Sequence, residues 1–323
     1  MSNSQLGEIF SRYEGNPILT PARWPYEVGA TFNPGAVRFN EDVLLLVRVE
    51  DKQGYSHLTV ARSKDGKTDW RIDPEPTLRS DRNYGEEVFG LEDARIIWLE
   101  ERQEYVIACV SFFAEIVGKP PGISLIATND FSTFRRMSCP LMPPNKDASL
   151  FPRTFNGRYA LIHRPIIEGR ADIWVSFSPD LKYWGEHRPL IHARHRAWDC
   201  NRVGLGPPPI ETPEGWLIIY HGLRITASGA LYRVGVALLD METLKITHRG
   251  KEWVFDPEEP YEKVGQVNNV VFPCGAVLDE TTNELLVYYG ATDSVVGLAV
   301  ANLKDVVTYL KSCDDCSQAH YIK

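Results

Sequence analysis

Cysteine is scarce in this chain: six residues in 323, too few and too scattered for a disulfide framework. Cys109 and Cys274 sit inside apolar runs and read as small buried hydrophobes. Cys313 and Cys316 form a lone CxxC with only His320 nearby, which lacks the second ligand pair of a zinc site. The expectation there is a loosely ordered tail and no metal. Basic blocks are also missing; with 35 Lys and Arg against 43 Asp and Glu, the net charge is −8. That balance argues against nucleic acid as a partner. No apolar run approaches the roughly 20 residues that span a bilayer, which argues against a membrane. The start, MSNSQLGEIFSRYEG, has neither the charged nor the apolar region of a signal peptide, so a cytoplasmic location is expected. Helical periodicity is confined to DVVTYLKS (305–312), expected as a short closing helix. Low-complexity segments are absent too.

What the chain does contain is one statement made five times. A polar or Pro/Gly-marked start leads into an apolar strand, a turn and a second apolar strand. The first strands read FNPGAVRF (32–39), LEDARIIWL (91–99), LFPRTFNG (150–157), GLGPPPIET (204–212) and VFPCGAVLD (271–279). The second strands read VLLLVRVED (43–51), EYVIACVSF (104–112), RYALIHRP (158–165), GWLIIYHGL (215–223) and ELLVYYGATD (284–293). A third strand follows, several ending in Ser/Thr/Asp corners such as those at Asp65 and Asp180, which read as turn chemistry. Repeats of about 55–65 residues made of short strands predict an all-β fold, a five-bladed β-propeller in one domain over 1–323. The blades are placed at about 29–80, 88–140, 147–190, 203–250 and 268–310, after a lead-in over 1–28.

A propeller carries the starts of its first strands and the ends of its second strands to one axial pocket. Polar residues at those places are Asn33, Arg48, Asp51, Glu92, Asp93, Arg153, His163, Arg164, Arg202, His221, Asn269 and Asp293. Burying so many charges is costly unless they pair or act. Cleaving a glycoside needs an acid for the leaving oxygen and an attacker for the anomeric carbon. Attack by water calls for a second carboxylate as base, whereas phosphate is already a nucleophile and needs cations to hold it. The cations Arg153, Arg164 and Arg202, with His221, favour phosphate. His163 reads as a packing residue, His192 and His195 as loop residues, Tyr220, Tyr288 and Tyr289 as core, and Trp198 as a sugar platform at the rim.

The segments FNPGAV (32–37), GLEDARI (90–96), LFPRTFNGRYALIHRP (150–165), NRVGLGPPPIET (201–212), GWLIIYHG (215–222), VVFPCGAV (270–277) and YYGATD (288–293) come in a specific order. In that order the chain resembles glycoside hydrolase family 130, five-bladed β-propeller mannoside phosphorylases and related β-mannosidases. The resemblance implies an inverting, glycosyltransferase-type phosphorylase without a cofactor, using inorganic phosphate to turn β-mannosides into α-mannose 1-phosphate. It implies Asp93 as the sole catalytic acid, acting through the sugar's 3-hydroxyl. It implies Arg153, Arg164, Arg202 and His221 as phosphate ligands, and Asn33, Arg48, Glu92 and Asp293 as substrate-binding residues. Arg202 stands where Lys is frequent in the family, and Ala94 where Pro is frequent. The alternatives are a β-mannosidase with Glu92 or Asp293 as base, and a non-catalytic sugar-binding propeller. Linkage, β-1,2 or β-1,4, is left open, and a homo-oligomer is in keeping with the family.

Overall fold

Runs such as VLLLV (43–47) and WLIIY (216–220) lack the polar alternation of a half-exposed sheet, and burial explains why. Every residue in both is at most 1% exposed, because each sheet is covered on both faces by neighbouring sheets. The structure is a computed structural model and describes residues 9–313, except 82, 85–86, 88, 113–116, 138–139 and 168–170.

Five antiparallel sheets follow one another along the chain as the blades of a propeller. Their inner strands are Ala30–Phe39, Glu92–Leu99, Asn145–Leu150, Arg202–Leu205 and Val271–Asp279. Paired to these, in the same order, are Asp42–Glu50, Glu104–Phe112, Tyr159–Pro165, Gly215–Thr226 and Glu284–Ala291. The apolar core falls into five clusters, one in each seam between adjacent blades. Leu44, Leu58 and Ile107 fill the first seam, for instance, and Phe151, Ile162, Trp216 and Tyr220 the third. Truncating one such Leu or Ile to Ala costs about 2–5 kcal/mol.

The residues before blade one are more than a lead-in. Ser11–Arg12 is the outer strand of blade five, pairing with Val295–Asn302, so the two ends of the chain close the ring together. Arg12 locks this join through Glu262 at 2.8 Å and the carbonyl of Asp256 at 2.5 Å. The expected closing helix runs over Leu303–Ser312, capped by the Asn302 side chain and burying Val306 and Leu310 against the blade-four/blade-five seam. The Asp corners are turns: Asp65 Oδ1 accepts from the Lys67 and Thr68 amides, and Asp130 and Asp180 do the same in the next two blades.

Blade three departs from the expectation. Its inner strand is Asn145–Leu150, and LFPRTFNG (150–157) is mostly the turn that follows it. Blade four's inner strand is interrupted after Leu205 by GPPP, since Pro cannot donate to a ladder, and resumes as Ile210–Thr212.

Three inner strands share a further device. Each carries a β-bulge in its first half, at Phe32/Gly35, Glu92/Arg95 and Lys146/Ser149. Inside each bulge one residue takes the left-handed conformation: Asn33 (φ 44°), Asp93 (φ 52°) and Asp147 (φ 52°). Asn and Asp tolerate this region better than other side chains. The bulge turns that one side chain out of the pleat and toward the axis.

Candidate active site

The three bulge residues meet in a hollow of about 280 Å³ at one end of the axis. Its walls add Arg48, Lys146, Arg164, Arg202, His221, Tyr232, Phe272 and Asp293, with Ile166, Val267 and Val270 at the edge. All five blades contribute, so no local stretch of sequence contains the site.

One side is built around Asp93, which is 5% exposed. Its Oδ1 accepts from Asn33 Nδ2 at 2.8 Å and from Arg48 at 3.1 Å. Arg48 also donates to Glu92 at 2.8 Å and lies 4.5 Å above the Phe32 ring, so its charge is fixed in place. Burial opposes ionisation of Asp93, but Arg48, Lys146, Arg95 and the Asn33 amide together outweigh it and hold the carboxyl below its usual range. The other two acids go the opposite way. Burial raises Glu92 despite Arg48, with Asp93 adding to the rise. Burial and the charges of Asp93 and Glu92 push Asp293 up to about 6, against the pull of Arg48. Asn33 Oδ1 is buried with no hydrogen-bond partner among the described residues, an acceptor turned toward a donor from elsewhere. Gly290 makes room for it, because a β-carbon there would overlap the Asn33 amide.

The other side carries the cations. Arg164, opposite Lys146 in the blade-three ladder, donates to Asp147 Oδ2 at 2.6 Å. Arg202 bonds the Tyr232 hydroxyl at 3.4 Å. His221 Nε2 lies 3.5 Å from Asp147 Oδ2, and its ring packs on Phe272 at 4.5 Å. Burial pushes His221 down to about 3 in spite of Asp147, with Arg164, Arg95 and Arg202 adding to the fall, so the ring is neutral near pH 7. Arg95 lies beneath both sides, donating to the carbonyls of Asp93, Leu205 and Gly206 at 2.8–3.0 Å. It ties the blade-two bulge to blade four.

Of the residues expected here, the structure brings Asn33, Arg48, Asp93, Arg164, Arg202, His221 and Asp293 into the lining, whereas Glu92 lies outside the lining and bonds Arg48. Arg153 is not in the lining either. It sits past the far end of the blade-three inner strand, 37% exposed, reaching the Met241 carbonyl and Glu242 at 3.4 Å and stacking 5.3 Å from the Trp216 ring. Of the two arginines expected to share a cavity with Asp93, the structure therefore brings only Arg164 there. The cause is register: reading the strand from Leu150 rather than Asn145 moved the pocket end by about one strand length. Asp51 and Asn269 also lie outside the lining; Asp51 accepts from the Gln53 and Tyr55 amides in a turn. His163 is buried in its blade between Asn145 and Ser176. His192 bonds Asp172 and His195 is exposed. Trp198 is 4% exposed and stacked on Tyr220, a core residue rather than a rim platform. Cys313 is described, whereas Cys316 and His320 lie outside the described residues.

Lys146, Asp147 and Tyr232 went unread in the sequence. The signal for the first two was present: NKDAS (145–149) repeats the acid–alanine step of LEDAR (91–95), and FNPG (32–35) is its counterpart in blade one.

Comparison with known proteins agrees with this geometry. The family model described as beta-1,4-mannooligosaccharide phosphorylase matches residues 8–312. The beta-1,4-mannooligosaccharide phosphorylase of Ruminococcus albus is 35% identical, over 94% of this chain and 92% of its own length. The 1,2-beta-oligomannan phosphorylase of a Thermoanaerobacter species is 37% identical, over 91% of this chain and 98% of its own. The solved beta-1,2-mannobiose phosphorylase of Listeria innocua, a complex with beta-1,2-mannobiose, superposes with a TM-score of 0.83 at 30% identity, covering 94% of this chain and 99% of that one. The five-bladed ring, its axial hollow and these matches along nearly all of its length place the chain in the beta-1,4-mannooligosaccharide phosphorylase family, glycoside hydrolase family 130.

Proposed function

We propose that this protein is an inverting phosphorylase of β-mannosides, transferring a mannosyl unit to inorganic phosphate and releasing α-mannose 1-phosphate. The observation that carries the reading is the division of one hollow into two sides. A carboxyl with polar neighbours shares the hollow with two arginines, Arg164 and Arg202, and with Lys146, whose Nζ lies 4.0 Å from Glu92. Water needs no such set, whereas an attacking phosphate does.

In this reading the mannosyl ring rests against Asn33, Arg48 and Asp293, with Glu92 fixing Arg48 rather than lining the hollow. Asp93 supplies the proton to the leaving oxygen, through the 3-hydroxyl as the resemblance implies. The C1–O bond to the acceptor sugar breaks while a phosphate oxygen bonds C1 from the cationic side. Asp93 is ionised when only the protein's own charges act on it. Phosphate brings negative charge into the same hollow and raises the Asp93 pKa, which favours the protonated acid once both substrates are bound. The chemistry calls for no metal or organic cofactor, since phosphate is the nucleophile and Arg and Lys neutralise it.

The relatives named above divide between β-1,4- and β-1,2-linked mannosides, so the reading is confined to manno-oligosaccharides and mannosyl-glucose-type disaccharides. No described helix is long and apolar enough to cross a membrane; a cytoplasmic location fits the phosphate requirement. Ile166, at the pocket edge, is one of several exposed apolar side chains, with Ile167, Ile225 and Val264, that are in keeping with self-association.

The deciding experiment measures product release from β-1,4- and β-1,2-mannobiose against phosphate concentration. Saturable dependence on phosphate with α-mannose 1-phosphate as product is expected. Free mannose released at an unchanged rate without phosphate makes the protein a β-mannosidase. Binding without turnover at any phosphate concentration makes it a sugar-binding propeller.

A further inference from the structure

We propose that Asp147 makes the cationic side of the pocket selective for oxyanions that carry a proton, admitting hydrogen phosphate and arsenate and rejecting sulfate. The proposal rests on the phosphorylase reading and deepens it. A carboxylate is an odd wall for an anion site, yet Asp147 lines the same hollow as Lys146, Arg164, Arg202 and His221 and is 1% exposed. Its Oδ2 is engaged by Arg164 at 2.6 Å and by His221 at 3.5 Å. Its Oδ1 faces the Arg95 guanidinium at 3.8 Å, beyond hydrogen-bond length. Burial favours the protonated acid, but the charges of Arg164 and Arg95 and the hydrogen bond from Arg164 outweigh it and hold the carboxyl well below its usual range. An ionised carboxylate only accepts hydrogen bonds.

An oxyanion held by Arg164 and Arg202 therefore meets an acceptor as well as donors. Both phosphate ions present near neutrality keep at least one O–H, which can donate to Asp147. Arsenate does the same. Sulfate keeps none, so its oxygen and the carboxylate confront each other as unpaired acceptors of like charge. The geometry is well fixed: the bulge sets the Asp147 backbone at φ 52°, and any side chain at Gly204 would overlap Oδ2 and the His221 ring.

The alternative is that Asp147 only balances the charge of its arginines. In that case its removal strengthens binding of every anion alike. The experiment takes the full chain with a manno-oligosaccharide it cleaves and measures KM for phosphate and the competitive inhibition constant for sulfate, in wild type and Asp147→Asn. Asn suits the left-handed backbone and keeps the shape. In wild type the sulfate constant is expected to exceed the phosphate KM by about 10- to 100-fold, the worth of one hydrogen bond to a charged group. In Asp147→Asn that ratio is expected to fall at least about tenfold. An unchanged ratio, with both constants moving together, overturns the proposal. Should Asp147→Asn fail to fold, wild type alone decides. Arsenate that competes with phosphate while sulfate does not supports the proposal, and sulfate competing as well as arsenate overturns it. Phosphate-independent cleavage in wild type is a different result, because it refutes the phosphorylase reading itself.

Discussion

Asp93 and Asp147 hold the same place in consecutive blades, and they have been given different tasks by what stands across from them. Both sit in an inner-strand bulge at φ 52°, both are followed by Ala, and both are nearly inaccessible to solvent. Asp93 faces Asn33 and Arg48, with Glu92 and Asp293 close by, so acids compete for one guanidinium. Asp147 faces Arg164, Arg95 and His221, and the two arginines hold its carboxyl well below the usual range. In the proposed function the charge of bound phosphate favours the protonated acid in the first setting, while the arginines hold the second carboxyl ionised. In that proposed function, one backbone device thus serves as a proton donor beside the sugar and as a fixed acceptor beside the anion.

The largest effect that sharpens this contrast belongs to Asp93→Asn. Loss of a general acid costs about 10²–10⁴ in rate, and kcat for phosphorolysis is expected to drop by that much while the circular dichroism spectrum is unchanged. Activity near wild type in this variant breaks the assignment of the acid.

A smaller effect tests whether acids crowd one side only. Asp293 is pushed up to about 6, so the folded protein holds its proton more tightly than the unfolded chain does. The stability this confers is complete below the ordinary Asp range and is lost as pH rises through about 6. Asp293→Asn carries no such penalty. Its melting temperature is expected to exceed that of wild type at pH 8, with the gap closing as pH falls from 6 to 4. A gap independent of pH shows that Asp293 is not crowded by Asp93 and Glu92.

The smallest effect is expected at Arg153, which resembles a phosphate ligand in sequence and lies outside the pocket. Arg153→Met should leave KM for phosphate within about twofold of wild type, since exposed ion pairs such as that with Glu242 are worth little. A rise of tenfold or more contradicts the register described for blade three.

The five-fold repeat was legible because its strands are buried on both faces and so read as unbroken apolar runs between turns. The site was legible where a second strand ends in an unusual charge, as at Arg48, Arg164 and His221. Arg153 misled because a basic residue after Phe-Pro looks the same whether it begins a strand or follows one. Lys146 and Asp147 were missed because the bulge that aims Asp147 inward breaks the two-residue period by which strands are recognised. The closing strand at Ser11–Arg12 is too short to show any period at all.

By itself, then, the amino-acid order determined how many sheets there are, their apolar faces and the kinds of charged group available, since these follow from local pattern and composition. Tertiary structure decided which of those charges share a cavity. It also decided that Asp93 and Asp147 differ and that His221 is neutral. Pairing register and the distances between blades control these outcomes, and both depend on contacts between residues far apart in the chain.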